Sequence, residues 1–180
     1  MEVFWRLGYE RASLEQLLDA MGISKQSLYD TFGDKRALYL LALAAYREQT
    51  LSSMRALFAS AETTRDGFSR LLLGLIAETE EQHARGCLLL SANLERDSGD
   101  AVIATFLRDN QAAVEKVFAE AIVRGQSTGE LSKSLDPLAM ARFFTVTVQG
   151  MRAMARLKSD RRALRQVARV ALAALGELHS

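Results

Sequence analysis

Residues 13–32 read SLEQLLDAMGISKQSLYDTF, and the pattern in this stretch decides the fold. Leu14, Leu17, Leu18 and Met21 recur at three-and-four spacing, which gives a short first helix one apolar face. Gly22 then supplies a tight turn and Ser24 a cap for a second short helix. Ile23, Leu28 and Phe32 can close a small core from the other side. Two such helices joined by Met21-Gly22-Ile23-Ser24 have the length of a helix-turn-helix. With its back held, the second helix presents Lys25, Gln26, Ser27, Tyr29 and Thr31 on its front. These side chains carry the donors, acceptors and flat rings that suit base edges and phosphates.

Outward from this segment the chain reads as helix. Phe68, Leu71, Leu72, Leu75, Ile76 and Thr79 keep the helical period, as do Ile103, Phe106, Leu107, Val114, Val117, Phe118 and Ile122. No sustained apolar-polar alternation bounded by turn residues predicts a strand. Helix starts are marked by Ser13 with Gln16 as a capping box, Ser24, Thr64 with Asp66, Asp136 ahead of the single proline Pro137, and Ser159 with Asp160. Gly8, Gly22, Gly33 and Gly129 punctuate helix ends. The expectation is an all-α chain of about nine helices, near 2–7, 14–21, 25–31, 35–59, 65–83, 87–94, 100–126, 137–156 and 160–178.

Composition sets the outer bounds. With 180 residues, 49% hydrophobic and 25% charged, the chain lies with folded globular proteins. No apolar run reaches the roughly 20 residues of a membrane span, and the first residues lack a secretory layout, so no membrane partner and a cytoplasmic location are expected. A single cysteine, Cys87, forms no intramolecular disulfide and builds no thiolate cage. Net charge is +1, and residues 1–50 hold six basic against seven acidic side chains, so no broad basic field draws in nucleic acid. Local placement offsets this, because Lys25, Lys35 and Arg36 stand at the two ends of one short segment.

The same inventory argues against catalysis. Only His83 and His179 are available as imidazole bases, and neither has an orienting partner in the pattern. HExxH, CxxC and Gly-rich phosphate loops are lacking, so no catalytic residue, metal or cofactor is expected. A non-catalytic helical adaptor that binds only proteins is the alternative. It accounts for a helical bundle and an acidic front, but not for the ordered caps and turn from Ser13 to Lys35.

Taken in order, Phe4-Trp5-Arg6-Leu7-Gly8-Tyr9-Glu10, Ser13-Leu14, Gly22-Ile23-Ser24-Lys25-Gln26-Ser27-Leu28-Tyr29 and Phe32-Gly33-Asp34-Lys35-Arg36-Ala37-Leu38 resemble the signature of the tetracycline-repressor-like (TetR/AcrR) family. The resemblance implies a three-helix DNA-binding domain over residues 1–45 and an effector-binding, dimerising helical bundle over 46–180. It implies that Ser24 caps the recognition helix, that Lys25, Gln26 and Ser27 face bases or nearby phosphates, and that Tyr29 touches the backbone or a thymine methyl. Thr31 then sits at the rim, and Lys35 pairs with a phosphate at a helix N-terminus. Two departures stand out. Asp30 lies where many relatives have a neutral or basic residue, and the chain starts inside the family's first helix, so about two further turns are expected upstream.

For the rear bundle, Leu164, Val167, Ala168, Ala171, Leu172, Leu175 and Leu178 form a seam near heptad spacing. Phe143, Phe144, Val146, Val148, Met151 and Met154 make the preceding helix apolar nearly all round. The resemblance implies a homodimer through the last two helices, with the two heads about 34 Å apart on double-stranded operator DNA. It also implies a pocket for a small hydrophobic or aromatic effector, with Phe68, Leu72, Ile76, His83, Cys87, Phe106, Asn110, Phe144 and Gln149 as candidate lining residues; core packing is the plainer reading of most of them. Arg85-Gly86-Cys87-Leu88 is similar to a stretch in relatives that sense electrophiles, against the simpler reading of an inert thiol. The implied mechanism is repression relieved by effector, through a tilt of the helix starting at Lys35 and a coupling of about 1–3 kcal/mol. In this reading the protein is a bacterial cytoplasmic one, on the nucleoid when bound to DNA.

Overall fold

The computed structural model describes residues 1–95, 100–157 and 160–176, which form helices and no strand among them. In order they are α1 (Glu2–Arg11), α2 (Leu14–Met21), α3 (Lys25–Phe32), α4 (Lys35–Ser60), α5 (Thr64–Ala77), α6 (Glu80–Arg85), α7 (Leu88–Glu95), α8 (Ala101–Ser127), α9 (Pro137–Arg156) and α10 (Arg161–Ala173). The chain packs into two compact units, residues 1–49 with 87–108, and residues 50–86 with 109–180. The division expected after residue 45 runs along the sequence, whereas these packing units interleave. A head of three or four short helices cannot enclose its own apolar side chains. In the first unit α7 and the start of α8 cover them.

Caps place the helices of that first unit. Ser13 Oγ accepts from the Gln16 amide while Gln16 Oε1 accepts from the Ser13 amide, the reciprocal box expected from the sequence. Gly22 ends α2 at φ 65°, and its N–H donates back to Leu18 and Asp19 carbonyls. At Gly8, φ is 77°, so α1 kinks where the sequence expects its first helix to stop. Below these helices lie Phe4, Ala12, Leu17, Tyr39, Leu43 and Tyr46, joined by Leu88, Leu89, Ile103 and Leu107. The rings interlock, with Phe4 and Tyr9 centroids each 4.9 Å from that of Tyr39.

The second unit is built on aromatic packing between α5, α8, α9 and the latter half of α4. Phe68 is fully buried; its centroid lies 3.9 Å from that of Phe144, 4.9 Å from Phe58 and 5.3 Å from Phe118. Backbones approach closely here. A methyl group on Gly67 would lie 2.5 Å from a Phe58 ring carbon, so α5 can seat on that ring only without a side chain. Asp136 caps α9 as expected, accepting from the Leu138 and Ala139 amides with Pro137 at the first helical position.

Three expectations are corrected. The helix near 65–83 is two, α5 and α6, broken at Glu78 and Thr79. His83 Nε2 donates to the Leu75 carbonyl at 2.8 Å and so satisfies the C-terminal end of α5 at the break. The cap of α5 is Thr63, whose Oγ1 accepts from Asp66; the buried hydroxyl of Thr64 instead donates to the Ala121 carbonyl at 3.0 Å. Lastly, α10 ends at Ala173, several residues short of the expected 178. Ser159, Leu178 and His179 lie outside the described residues. Asp160 caps α10, accepting from the Arg162 amide at 2.9 Å.

Replacing Phe68 by Ala removes the ring on which three others pack. An unfolding free energy lower by about 3–5 kcal/mol is expected for the second unit in urea melts. An effect below about 1 kcal/mol would mean that this aromatic cluster is not the core.

Candidate nucleic-acid interface

α3 has eight residues, too few to be stable unsupported, so everything that fixes it comes from its ends and its back. At its start Ser24 Oγ accepts from the Ser27 amide at 3.1 Å, and the two hydroxyls lie 3.0 Å apart. The Gly33 amide closes its end onto the Tyr29 carbonyl at 2.9 Å. Leu28 is fully buried and anchors the back, while Ile23 and Phe32 are half-buried. On the opposite side Ser24, Lys25, Gln26, Ser27, Tyr29, Asp30 and Thr31 are all exposed. The structure thus leaves Lys25, Gln26, Ser27, Tyr29 and Thr31 all exposed around the part of α3 not anchored by Leu28.

The polar side chains on this face are arranged in pairs four apart. Gln26 Nε2 donates to Asp30 Oδ1 at 2.8 Å, so the unexpected carboxylate orients the amide rather than standing alone. Lys25 Nζ lies 6.0 Å from the centroid of the Tyr29 ring. Beyond the turn, Asp34 Oδ1 caps α4 by accepting from the Ala37 amide at 2.6 Å. Lys35 is half-buried, with its ammonium 4.6 Å from the Tyr9 ring centroid. Its charge is therefore held at the N-terminus of α4, where helix amides add partial positive charge.

Arg36 and Asp100 were not visible as a pair in the sequence. The Arg36 guanidinium reaches Asp100 with two hydrogen bonds, at 2.7 and 2.8 Å. Asp100 also accepts from the amides of Val102 and Ile103, as the N-cap of α8. The Arg36 hydrogen bond first, and then these backbone amides, hold its carboxyl well below the usual carboxylate range. An Asp directly ahead of a helical run was the available signal for the cap; the partner 64 residues away had none.

The effector candidates fall in both units. Phe68, Leu72, Ile76 and Phe144 are buried in the second, His83 is engaged with the Leu75 carbonyl, Asn110 is half-buried and Gln149 is exposed. Cys87 and Phe106 belong to the first unit, both half-buried, with Arg47 5.6 Å from the Phe106 ring centroid. Among the described residues no group of three or more His, Cys, Asp or Glu is set to hold a metal ion. No described helix is long and apolar enough to cross a membrane.

Residues 1–42 match the family described as bacterial regulatory proteins, tetR family, and residues 71–171 match the tetracyclin repressor-like C-terminal domain. The chain belongs to the TetR family. It is a helix-turn-helix transcriptional regulator of that family, and two curated relatives match it along nearly its full length. The HTH-type transcriptional regulator YezE of Bacillus subtilis is 30% identical, covering 97% of this chain and 91% of that one. The HTH-type transcriptional repressor ComR of Escherichia coli is 29% identical over 99% of this chain and 86% of its own. Among solved structures, a cysteine mutant of the TetR family regulator CifR, complexed with 26bp double-strand operator DNA, superimposes with a TM-score of 0.84. The two are 33% identical, over 96% of this chain and 91% of CifR.

Two expectations follow from the placement of these residues. Leu28→Ala should lower stability by about 2–5 kcal/mol, whereas Tyr29→Ala, on the exposed face, should change it by less than about 0.5 kcal/mol in denaturant melts. Equal effects would mean that α3 is not seated on Leu28. The second concerns acid. Because folding depresses the Asp100 carboxyl, its contribution is full above the unfolded value of about 4 and is lost as pH falls toward the folded value. The stability gap between wild type and Asp100→Asn should hold steady from about pH 7 to 5 and narrow below about 4.

Proposed function

We propose that the chain is a homodimeric repressor that reads operator DNA through α3 and lets go when a small hydrophobic or aromatic effector binds. The observation that carries this reading is the asymmetry of α3. One side is anchored by the buried Leu28, and Lys25, Gln26, Ser27, Tyr29 and Thr31 are all exposed around the rest of the helix. A protein-only adaptor has no need to hold such a face rigid and bare. In this reading residues 1–45 form the DNA-reading domain and 46–180 the effector-binding and dimerising domain. Ser24 fixes the helix start and Lys25, Gln26 and Ser27 meet base edges or phosphates. Tyr29 and Thr31 meet the backbone or a thymine methyl, and Lys35 pairs with a phosphate. CifR is complexed with double-strand operator DNA, and ComR carries the name of a repressor; both support the assignment.

Dimerisation is supported by what α9 and α10 leave uncovered. The seam of α10 turns inward, with Leu164, Ala168, Ala171 and Leu175 buried in their own unit. The exposed large apolar side chains are Leu138, Phe143, Val146, Met154 and Leu157 along and at the end of α9, and Val170 on α10. Phe143, Val146, Gly150, Met154 and Leu157 follow one another at three-and-four spacing, a single stripe. Such a stripe left wet is costly, and a second copy of the same stripe covers it with two-fold symmetry. Two reading heads then meet two half-sites about one helical turn apart. The protein works in the bacterial cytoplasm, on the nucleoid. Effector binding within the aromatic interior of the second unit, near Phe68, Leu72, Ile76, Asn110 and Phe144, tilts α4 and changes the setting of the heads. His83, Cys87, Phe106 and Gln149 are the remaining candidates for contact with the effector.

The test is fluorescence anisotropy on duplex DNA from immediately upstream of the protein's own gene, beside a scrambled duplex and across salt. Selective binding is expected, weakening with salt by about 0.9 in log-log slope per phosphate contacted. Tyr29→Ala should weaken the specific duplex by at least about tenfold. Val146→Glu should give monomers in sedimentation and lose operator affinity with them. Equal binding to both duplexes would remove this reading in favour of the adaptor.

A further inference from the structure

We infer that Asp100 is a positioning residue for DNA reading: through Arg36 it fixes the first turn of α4, and with it the exit of the recognition helix. The inference rests on the DNA-binding reading above and deepens it. Arg36 Nε donates to Asp100 Oδ2 at 2.7 Å and Nη2 donates to Oδ1 at 2.8 Å. This two-pronged geometry is directional as well as strong, because two parallel hydrogen bonds hold the guanidinium plane in line with the carboxylate. Asp100 is itself held in place: its Oδ1 accepts from the Val102 amide at 3.1 Å and the Ile103 amide at 3.0 Å, so Arg36 is tied to the capped start of α8.

The segment that Arg36 restrains joins α3 to α4. Gly33, at φ 84°, turns the chain between the last residue of α3 and the first turn of α4, a conformation that favours glycine. Asp34 caps α4 through the Ala37 amide, and Lys35 is laid over the Tyr9 ring. With Arg36 pinned as well, three successive side chains fix the α4 side of this joint. Both helices joined by the pair are long: α4 runs on to Ser60 and α8 to Ser127, and each passes from the first packing unit into the second. A displacement of α4 relative to α8 has to shear the pair. Ordinary exposed ion pairs add little to stability, so a bidentate pair at this joint finds its use in direction.

The geometry also separates two roles for Arg36. A free arginine beside Lys35 at a helix N-terminus would bind phosphate. Here its guanidinium is spent on Asp100, and the head gives up a cation in exchange for a fixed joint.

The experiment begins by enriching a duplex from a random library with the wild-type chain. Anisotropy on that duplex, across salt, then compares wild type, Asp100→Asn, Arg36→Gln and the double variant. Asparagine caps a helix as well as aspartate, so Asp100→Asn removes the charge and leaves the start of α8 intact. Each single change should lower affinity about tenfold, the double no more than either single, with the salt slope unchanged. The preference for the selected duplex over one lengthened by a single base pair between half-sites should fall in both, a readout that general loosening of the fold does not move. If Arg36→Gln flattens the salt slope by about one while Asp100→Asn binds as well as wild type or better, Arg36 holds a phosphate and the inference is overturned. Losses that multiply in the double variant overturn it too, since the residues then act separately. A library from which the wild type enriches nothing overturns the DNA-binding reading and this inference together.

Discussion

An eight-residue helix in water has almost no stability of its own, because nucleation costs are not recovered over two turns. Everything about the first packing unit answers that constraint. α2 and α3 are each eight residues long, and both are held by side-chain caps at their starts, glycine turns at their ends and one buried leucine each, Leu17 and Leu28. The gain is that α3 spends only its back on the fold. Its other side chains, Phe32 aside, stay exposed and polar, with no role in packing.

The constraint reaches further along the chain. Helices this short cannot roof a core, so the side chains beneath them need cover from elsewhere, and Leu88, Leu89, Ala92, Ile103 and Leu107 supply it. That is why the compact unit includes residues 87–108 as well as the first 49. It also brings the start of α8 beside the start of α4, where Asp100 meets Arg36. A hydrophobic requirement thus places a charged pair at the joint of the reading head.

What was legible in the sequence was local. Ser13 with Gln16, Ser24, Asp136 with Pro137 and the left-handed glycines act within a few residues of themselves, and each is found in its expected role. The break at Glu78 was not legible, since Phe68 to Thr79 keeps an unbroken helical period. It is settled by His83 reaching back to the Leu75 carbonyl and by the Thr79–Gln82 capping box of α6. Thr63 and Thr64 show the same limit: two adjacent threonines are equal as caps by type, and only the carbonyl of Ala121, 57 residues on, draws the hydroxyl of Thr64 inward. Likewise a heptad-like seam on α10 names an apolar face without saying what it faces. The stripe on α9 that stays exposed was hidden in a helix apolar nearly all round.

Charge is the remaining puzzle that the structure makes tractable. Residues 1–50 carry a net −1, and pairing Arg36 with Asp100 removes one more cation from use. In the reading proposed above, these residues offer little long-range attraction to DNA, and the non-specific binding they support, which depends on phosphate neutralisation, is weak with it. Lys25 and Lys35 lie instead at the first positions of α3 and α4, and Asp30 is occupied by Gln26. In that reading the regulator loses little to competing non-specific sites, because the ratio of specific to non-specific affinity, more than affinity alone, decides occupancy. It must then gain its hold on the operator from correctly spaced contacts made together. A rigid joint after the recognition helix serves that need better than an additional surface charge.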